Sequence, residues 1–171
     1  LQKKHKIPAS IILAQALLES GAGQSYLALA GNNHFGIKCT DWKGLCIHKN
    51  DDGVHSCFRK YLHVNESFED HSRFLANRPH YKPLFKLKIT DYKGWAQGLK
   101  RYGYASDPNY ATKLIKVIES YQLYYYDTAK ETDPPKKIVS TPKKTSSGTQ
   151  KKTQPVKKNA TTKKLPASSK K

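Results

Sequence analysis

The chain has 171 residues, 31 Lys and Arg against 13 Asp and Glu, a formal net charge of +18, and 37% hydrophobic residues. That length allows one domain of ordinary size plus an appendage. No stretch approaches the roughly 18 to 20 apolar residues of a membrane span, so a transmembrane helix within this sequence is excluded. The composition changes abruptly at Asp133-Pro134-Pro135: residues 1 to 133 hold every Trp, Tyr, Phe, Cys and acidic side chain, whereas residues 134 to 171 hold twelve Lys and no acid. Of the +18, +12 therefore lies in the tail, leaving +6 for the domain. The chain opens without Met inside what reads as a helix, the appearance of a fragment or processed form from which a signal peptide could have been lost.

Taken in chain order, the first pronounced element is the nearly uncharged run Ile11 to Ser20. Ile11, Ala14, Leu17 and Leu18 follow helical spacing, Pro8 and Ser10 mark the start, and Gly21 and Gly23 stop it. It delivers one carboxylate, Glu19, to a glycine-punctuated end. Apolar neighbours and the negative end of the helix dipole both favour the protonated form there, the condition for a general acid near neutral pH. A solvated acid in a last helical turn has the same sequence, and Glu19 alone does not separate the two.

A second apolar turn, Ser25 to Ala30, leads into Gly31-Asn32-Asn33-His34-Phe35-Gly36. Two asparagines beside two glycines read as a tight turn; alternatively, Asn32, Asn33 and His34 offer donors and acceptors to a polar ligand while Phe35 anchors the loop in the core. Next, Trp42 to His48 and Val54 to Phe58 flank Asn50-Asp51-Asp52-Gly53, a hairpin signal. Cys39, Cys46 and Cys57 lie in this region with His34, His48 and His55, but no zinc spacing such as C-x2-C or H-x3-H is present, and no metal is expected. In a hairpin turning near residues 50 to 53, Cys39 and Cys57 fall on opposite strands near its open end, within reach of a disulfide.

Residues 62 to 77 read as a helix with Ser67 as N-cap and Asp70 as its capping-box partner; Phe68, His71, Phe74 and Leu75 share one face, with His71 in the core or in a groove wall. Glu66 and Glu69 read as charges favourable to the helix start. Thr90 and Asp91 start a further helix of Tyr92, Trp95, Ala96, Leu99 and Tyr102, ended by Gly103. Asp107-Pro108 then reads as N-cap and first-turn proline of a helix carrying Tyr110, Leu114, Ile115, Ile118 and Tyr121.

Five blocks in this order, Ala16 to Gly23, Gly31 to Lys38, Phe58 to Tyr61, Glu66 to His71 and Gly103 to Ala111, resemble glycoside hydrolase family 73. These are the bacterial endo-β-N-acetylglucosaminidases of peptidoglycan, including the glucosaminidase domain of the flagellar cell-wall hydrolase. The resemblance covers about residues 6 to 125 and implies a mainly α (α+β), lysozyme-like helical domain with a small β-hairpin lobe beside the substrate groove. It implies that Glu19 is the general acid, with no cofactor, that the second carboxylate comes from the lobe, for which Asp51 and Asp52 are the candidates, and that Tyr104 and Tyr110 line the sugar groove. Plain turn residues remain an equal reading of the two aspartates. The partner implied is the peptidoglycan glycan strand, and the location the cell envelope or the exterior.

The domain is thus expected over residues 1 to 128 and a disordered Lys-rich tail over 129 to 171. The tail reads either as a solvated linker or as a segment attracted to an anionic polymer of the cell envelope. With no aromatic interleaved among its lysines it has no platform for bases, so specific nucleic-acid recognition is not expected. A monomer suffices for one groove. A lytic transglycosylase, an N-acetylmuramoyl-L-alanine amidase and a non-catalytic wall-binding module remain as alternatives at this stage.

Overall fold

The computed structural model describes residues 1–51 and 53–129; Asp52 and the Lys-rich tail lie outside the described residues. The elements are α1 (Gln2–His5), α2 (Ala9–Ser20), α3 (Tyr26–Gly31), β1 (Cys46–Asp51), β2 (Val54–Arg59), α4 (Val64–Asn77), a 3-10 helix (Pro79–Lys86), α5 (Tyr92–Arg101), α6 (Tyr110–Ser120) and a second 3-10 helix (Leu123–Asp127). The expected mainly helical architecture with a two-stranded lobe is what forms. None of the described helices is long and apolar enough to cross a membrane.

α2 has almost no polar face, so it must be surrounded rather than packed on one side. α5, α6 and the second 3-10 helix enclose it. Ile7, Ile11 and Ala14 are fully buried against Trp95, Leu99, Leu114 and Ile118 in a continuous core. α4, α5 and α6 are amphipathic and turn their polar faces outward.

The start of α2 is secured differently from the sequence expectation. Pro8 occupies the N-cap position rather than the first turn, and Ser10 lies just inside the helix. The first-turn N–H groups find acceptors from afar: Ala9 N–H donates to Gln2 Oε1 (2.7 Å), and Ser10 N–H and Oγ–H donate to the Asp127 carboxylate (2.8 and 2.7 Å). Gln2 in turn donates to the Asp127 carbonyl (2.8 Å). A helix start buried in the core needs such acceptors because water cannot reach it.

Two further caps differ. Ser67 is inside α4, whose N-cap is His63; the Ser67 hydroxyl accepts from His34 N–H (3.1 Å) instead. Asp70, expected to complete a capping box, instead accepts from Arg59 and from the Tyr61 hydroxyl, and Glu66 receives the Leu62 N–H (3.1 Å). Glu69 pairs with Lys4, His5 and Arg73, tying α1 to α4. Asn109 rather than Asp107 precedes α6, while the Asp107 side chain accepts from Asn109 N–H (2.9 Å) in the turn before it.

The hairpin forms, shifted along the chain: β1 begins at Cys46, not Trp42, and pairs antiparallel with β2 from Cys46↔Arg59 to Asp51↔Val54. Cys39 is therefore not on the first strand. It lies on the other edge of β2, where Lys38 bridges Phe58 and Cys39 N–H donates to the Cys57 carbonyl (3.0 Å). The Cys39–Cys57 disulfide forms there, and Cys46 remains a free, exposed thiol. The bridge closes a loop of sequence separation 18, for which loop-closure entropy predicts about 3 kcal/mol of stabilisation.

Alkylation of the denatured, non-reduced chain is expected to label Cys46 alone, with Cys39 and Cys57 labelled only after reduction; mass spectrometry of the peptides reads this directly. Asp127→Ala, which strands two buried donors at the start of α2, is expected to cost about 2 kcal/mol, measured as a lower midpoint in thermal unfolding.

Candidate active site

A groove of about 1060 Å³ runs between the helical body and the lobe, and Glu19 stands in it. The C-terminus of α2 is what presents the carboxylate. Gly21 (φ 57°) adopts the left-handed conformation, its N–H returns to the Leu17 carbonyl, and Gly23 (φ 83°) completes the turn. Glu19 lies two residues before Gly21, so it is held by the helix yet points out of the core. Its side chain is open to the groove, but the groove walls crowd it, and that loss of hydration raises its pKa above the ordinary 4.5. The nearby Tyr110 hydroxyl favours the charged form and partly opposes the rise.

Four of the expected residues converge with Glu19: Tyr104, Tyr110, Asp51 and Phe35 all line the groove. Tyr104 and Tyr110 rings lie 5.4 Å apart, and burial pushes both hydroxyls well above the usual phenol range. They are neutral donors at any working pH. Phe35, 7% exposed, stacks on His71 at 3.9 Å with the rings nearly parallel.

Asp51 is the carboxylate contributed by the lobe hairpin. Lys38 Nζ lies 2.7 Å from its Oδ2, and this contact lowers its pKa below the ordinary 3.8. Asp41, in the loop before β1, lines the same groove. The other named lobe candidate, Asp52, lies outside the described residues.

The remaining expected ligand residues have other partners. Asn33 is 1% exposed; its amide donates to the Ile37 and Arg59 carbonyls (3.0 and 2.8 Å) and its oxygen accepts from Ile37 N–H (3.0 Å). Asn32 donates to the Tyr61 and Leu62 carbonyls (3.0 and 3.2 Å). His34 packs against Phe68, with ring centroids 5.7 Å apart. These three residues join the end of α3 to β2 and α4, and none is among the groove-lining residues.

Sequence reasoning missed Arg59 and Gln15. Arg59, at the end of β2, donates to Asp70 (2.8 Å), Lys38 O (3.1 Å) and Thr40 O (3.0 Å) and lies over the Trp42 ring (4.9 Å), which fixes the rim segment 38–42 to α4. Gln15 is fully buried on α2 and donates to Tyr110 Oη (3.0 Å). Its position one helical turn before Glu19, as a polar residue in an apolar helix, was the available signal. The sulfurs of Cys39, Cys46 and Cys57 lie within 4.8 Å of one another, but the disulfide leaves a single thiol, too few ligands to hold a metal ion.

A groove with one carboxyl pushed toward the protonated state and another held ionised is suited to protonating a leaving oxygen beside a developing positive charge. Comparison with known proteins points the same way. The exo-glucosaminidase LytG of Bacillus subtilis is 38% identical over 152 residues, covering 81% of this chain and 52% of its own length. The peptidoglycan hydrolase FlgJ of Vibrio cholerae is 36% identical, covering 69% of this chain and 40% of its own. The chain thus spans about half or less of these curated relatives. Among solved structures, the catalytic domain of the autolysin Auto from Listeria monocytogenes superposes with a TM-score of 0.62 at 34% identity, covering 73% of this chain and 78% of that domain. Residues 1–123 match the glucosaminidase family model, described as mannosyl-glycoprotein endo-β-N-acetylglucosaminidase, and with Glu19 ending a buried helix in the groove, the chain belongs to that family.

Proposed function

We propose that this chain is a peptidoglycan hydrolase, an endo-β-N-acetylglucosaminidase that cuts the β-1,4 bond between N-acetylglucosamine and N-acetylmuramic acid. It acts in the cell envelope or outside the cell. The observation that carries the reading is the opposed tuning of Glu19 and Asp51 in one groove: burial favours the proton on the first, and Lys38 favours the charge on the second. Glu19 protonates the departing muramic-acid oxygen as the glycosidic bond breaks.

For the opposite face of the sugar, a carboxylate held below its ordinary pKa is a weak base and a good electrostatic partner. Asp51 therefore fits stabilisation of the positive charge that forms when the substrate's own acetamido oxygen attacks C1, better than deprotonation of a water. Water then opens that cyclic intermediate and returns the proton to Glu19. Tyr104, with an aromatic face and a neutral hydroxyl in the groove, packs on the sugar and positions the acetamido group. Tyr110 attends Glu19. The Lys-rich tail, outside the described residues, supplies nonspecific attraction to anionic envelope polymers.

Peptidoglycan digested with the protein, reduced with borohydride and analysed by mass spectrometry is expected to show new reduced N-acetylglucosamine ends. Internal fragments identify endo action, and release of terminal residues alone would identify exo action. Glu19→Gln is expected to lose 10²-fold or more in kcat while still sedimenting with the wall. Anhydro-muramic ends would mean a transglycosylase, free peptides an amidase, and wall binding without new ends a binding module.

The pH dependence follows from the sign of the Glu19 shift. The acid is active while protonated, so kcat is expected to fall as pH rises through a midpoint above the ordinary 4.5, measured as the alkaline limb of the rate profile. Asp51→Asn is expected to lower kcat by about 10-fold to 10²-fold; an unchanged kcat with the substitution folded would remove Asp51 from the mechanism.

A further inference from the structure

Behind the two tyrosines lie two buried polar side chains, Gln15 and His71. Gln15 is fully buried; its Nε2 donates to Tyr110 Oη and its Oε1 has no partner. His71 is 1% exposed, is clamped flat against Phe35, and has Nε2 3.1 Å from Tyr104 Oη and Nδ1 without a partner. Among the described residues, one other buried side-chain atom is unpartnered, Trp95 Nε1. An unsatisfied polar atom in a core costs on the order of 1–3 kcal/mol, and leucine or phenylalanine would fill either position without that cost. Both residues place a nitrogen on a groove tyrosine.

The proton directions follow. Burial holds the His71 pKa at about 3, so the ring is neutral at any working pH and carries one N–H. Placing that hydrogen on Nε2 gives it an acceptor in Tyr104 Oη and leaves Nδ1 with only an unused lone pair, the cheaper vacancy. The Tyr104 hydroxyl, receiving from His71, keeps its own proton free for the neighbouring Tyr110, whose ring lies 5.4 Å away. The Tyr110 hydroxyl, receiving from Gln15, keeps its own proton free for Glu19, which lines the same groove.

We propose that His71 and Gln15 are positioning residues for the hydrolysis, fixing a one-way relay of hydroxyl donors, Tyr104 to Tyr110 to Glu19, that tightens as Glu19 gives its proton to the leaving oxygen. The inference rests on Glu19 as the general acid. A hydrogen bond to an ionised acceptor is about twice as strong as one to a neutral acceptor, so the relay is worth more in the transition state than before it. That difference accelerates the step, and the relay is already oriented when charge develops.

The other charged groups on the groove are exposed or partly exposed and mostly matched. Lys38 pairs with Asp51, Lys113 with Asp107 (2.6 Å) and Arg59 with Asp70, while Arg78 lies over Phe74 (4.0 Å) and Asp41 sits in the rim loop. They are common to the wild type and to any variant of the two buried residues. A difference in Glu19 titration between those proteins therefore reports on the relay.

The test is a 13C-detected pH titration of the Glu19 carboxyl in the full chain, comparing wild type with Gln15→Met and His71→Phe, each near-isosteric and lacking the donor, and with His71→Gln, which restores an N–H. Thermal unfolding establishes which variants fold; should His71→Phe not fold, Gln15→Met and His71→Gln carry the test. Expected is a Glu19 midpoint moved to higher pH in Gln15→Met and His71→Phe and restored toward wild type in His71→Gln. On peptidoglycan the alkaline limb of kcat moves the same way, with kcat lowered about tenfold and KM unchanged. A midpoint that stays at the wild-type pH in folded Gln15→Met overturns the relay, since a purely structural role would lower stability without moving Glu19. Titration shifts in the variants beside a wild type that releases no sugar ends would overturn the hydrolase reading, and with it the role in hydrolysis, while leaving the coupling of the two buried residues to Glu19 intact.

Discussion

The structure depends on burying a helix that has no polar side. α2 is surrounded by α5, α6 and the closing 3-10 helix, so the backbone donors at its start are cut off from water. Their acceptors are the side chain of Gln2 and the carboxylate of Asp127, the latter 117 residues from Ser10. This draws the two ends of the domain together across one helix terminus. It also fixes the other terminus in space. The residue that emerges there, Glu19, sits on a helix enclosed by three others, and such fixed placement is what a proton donor requires if it is to meet a leaving oxygen within hydrogen-bonding distance.

Two carboxyl groups in one groove would ordinarily titrate alike. Here the environments separate them by different means. Glu19 is crowded by apolar and phenolic walls that deprive its charged form of water, whereas Asp51 stands on a partly exposed strand with an ammonium at 2.7 Å. Hydration and a single cation are enough to divide the roles of acid and anion. The neutral tyrosines beside Glu19 extend this division, because a phenol whose ionisation is suppressed donates without competing for the proton.

The parts legible in the sequence were those fixed by local pattern. Helical spacing placed Glu19 at the end of its helix, the Asp-Gly turn placed the hairpin, and the order of the motif blocks brought Tyr104 and Tyr110 toward Glu19. What local pattern could not convey was the partner of a polar side chain. An asparagine in a glycine-rich turn reads the same whether its amide faces a ligand or the backbone; Asn32 and Asn33 face the backbone because the loop they close has several carbonyls to satisfy. Ser67 and Asp70 have the spacing of a capping box, yet α4 begins three residues earlier than Ser67, and both side chains serve neighbours outside the helix. Asp127 was unreadable as a cap because its partner lies at the far end of the domain.

The lobe raises a different problem, since a two-stranded sheet is at best marginal in water and Phe58 is the one side chain of its two strands that is buried among the described residues. Its place must come from polar and covalent ties. Cys39–Cys57 joins the rim segment to β2, Asn33 holds the end of β2 from the helical side, and Arg59 clamps Lys38 O and Thr40 O with one side of its guanidinium and Asp70 of α4 with the other. Lys38, whose carbonyl Arg59 holds, is also the cation on Asp51. The position of the lobe carboxylate relative to Glu19 therefore passes through one guanidinium and one carboxylate on α4. A lysine at 59 retains the charge but lacks the planar fork that reaches all three oxygens at once, so the spacing of the two acids rests on the shape of that side chain more than on its charge.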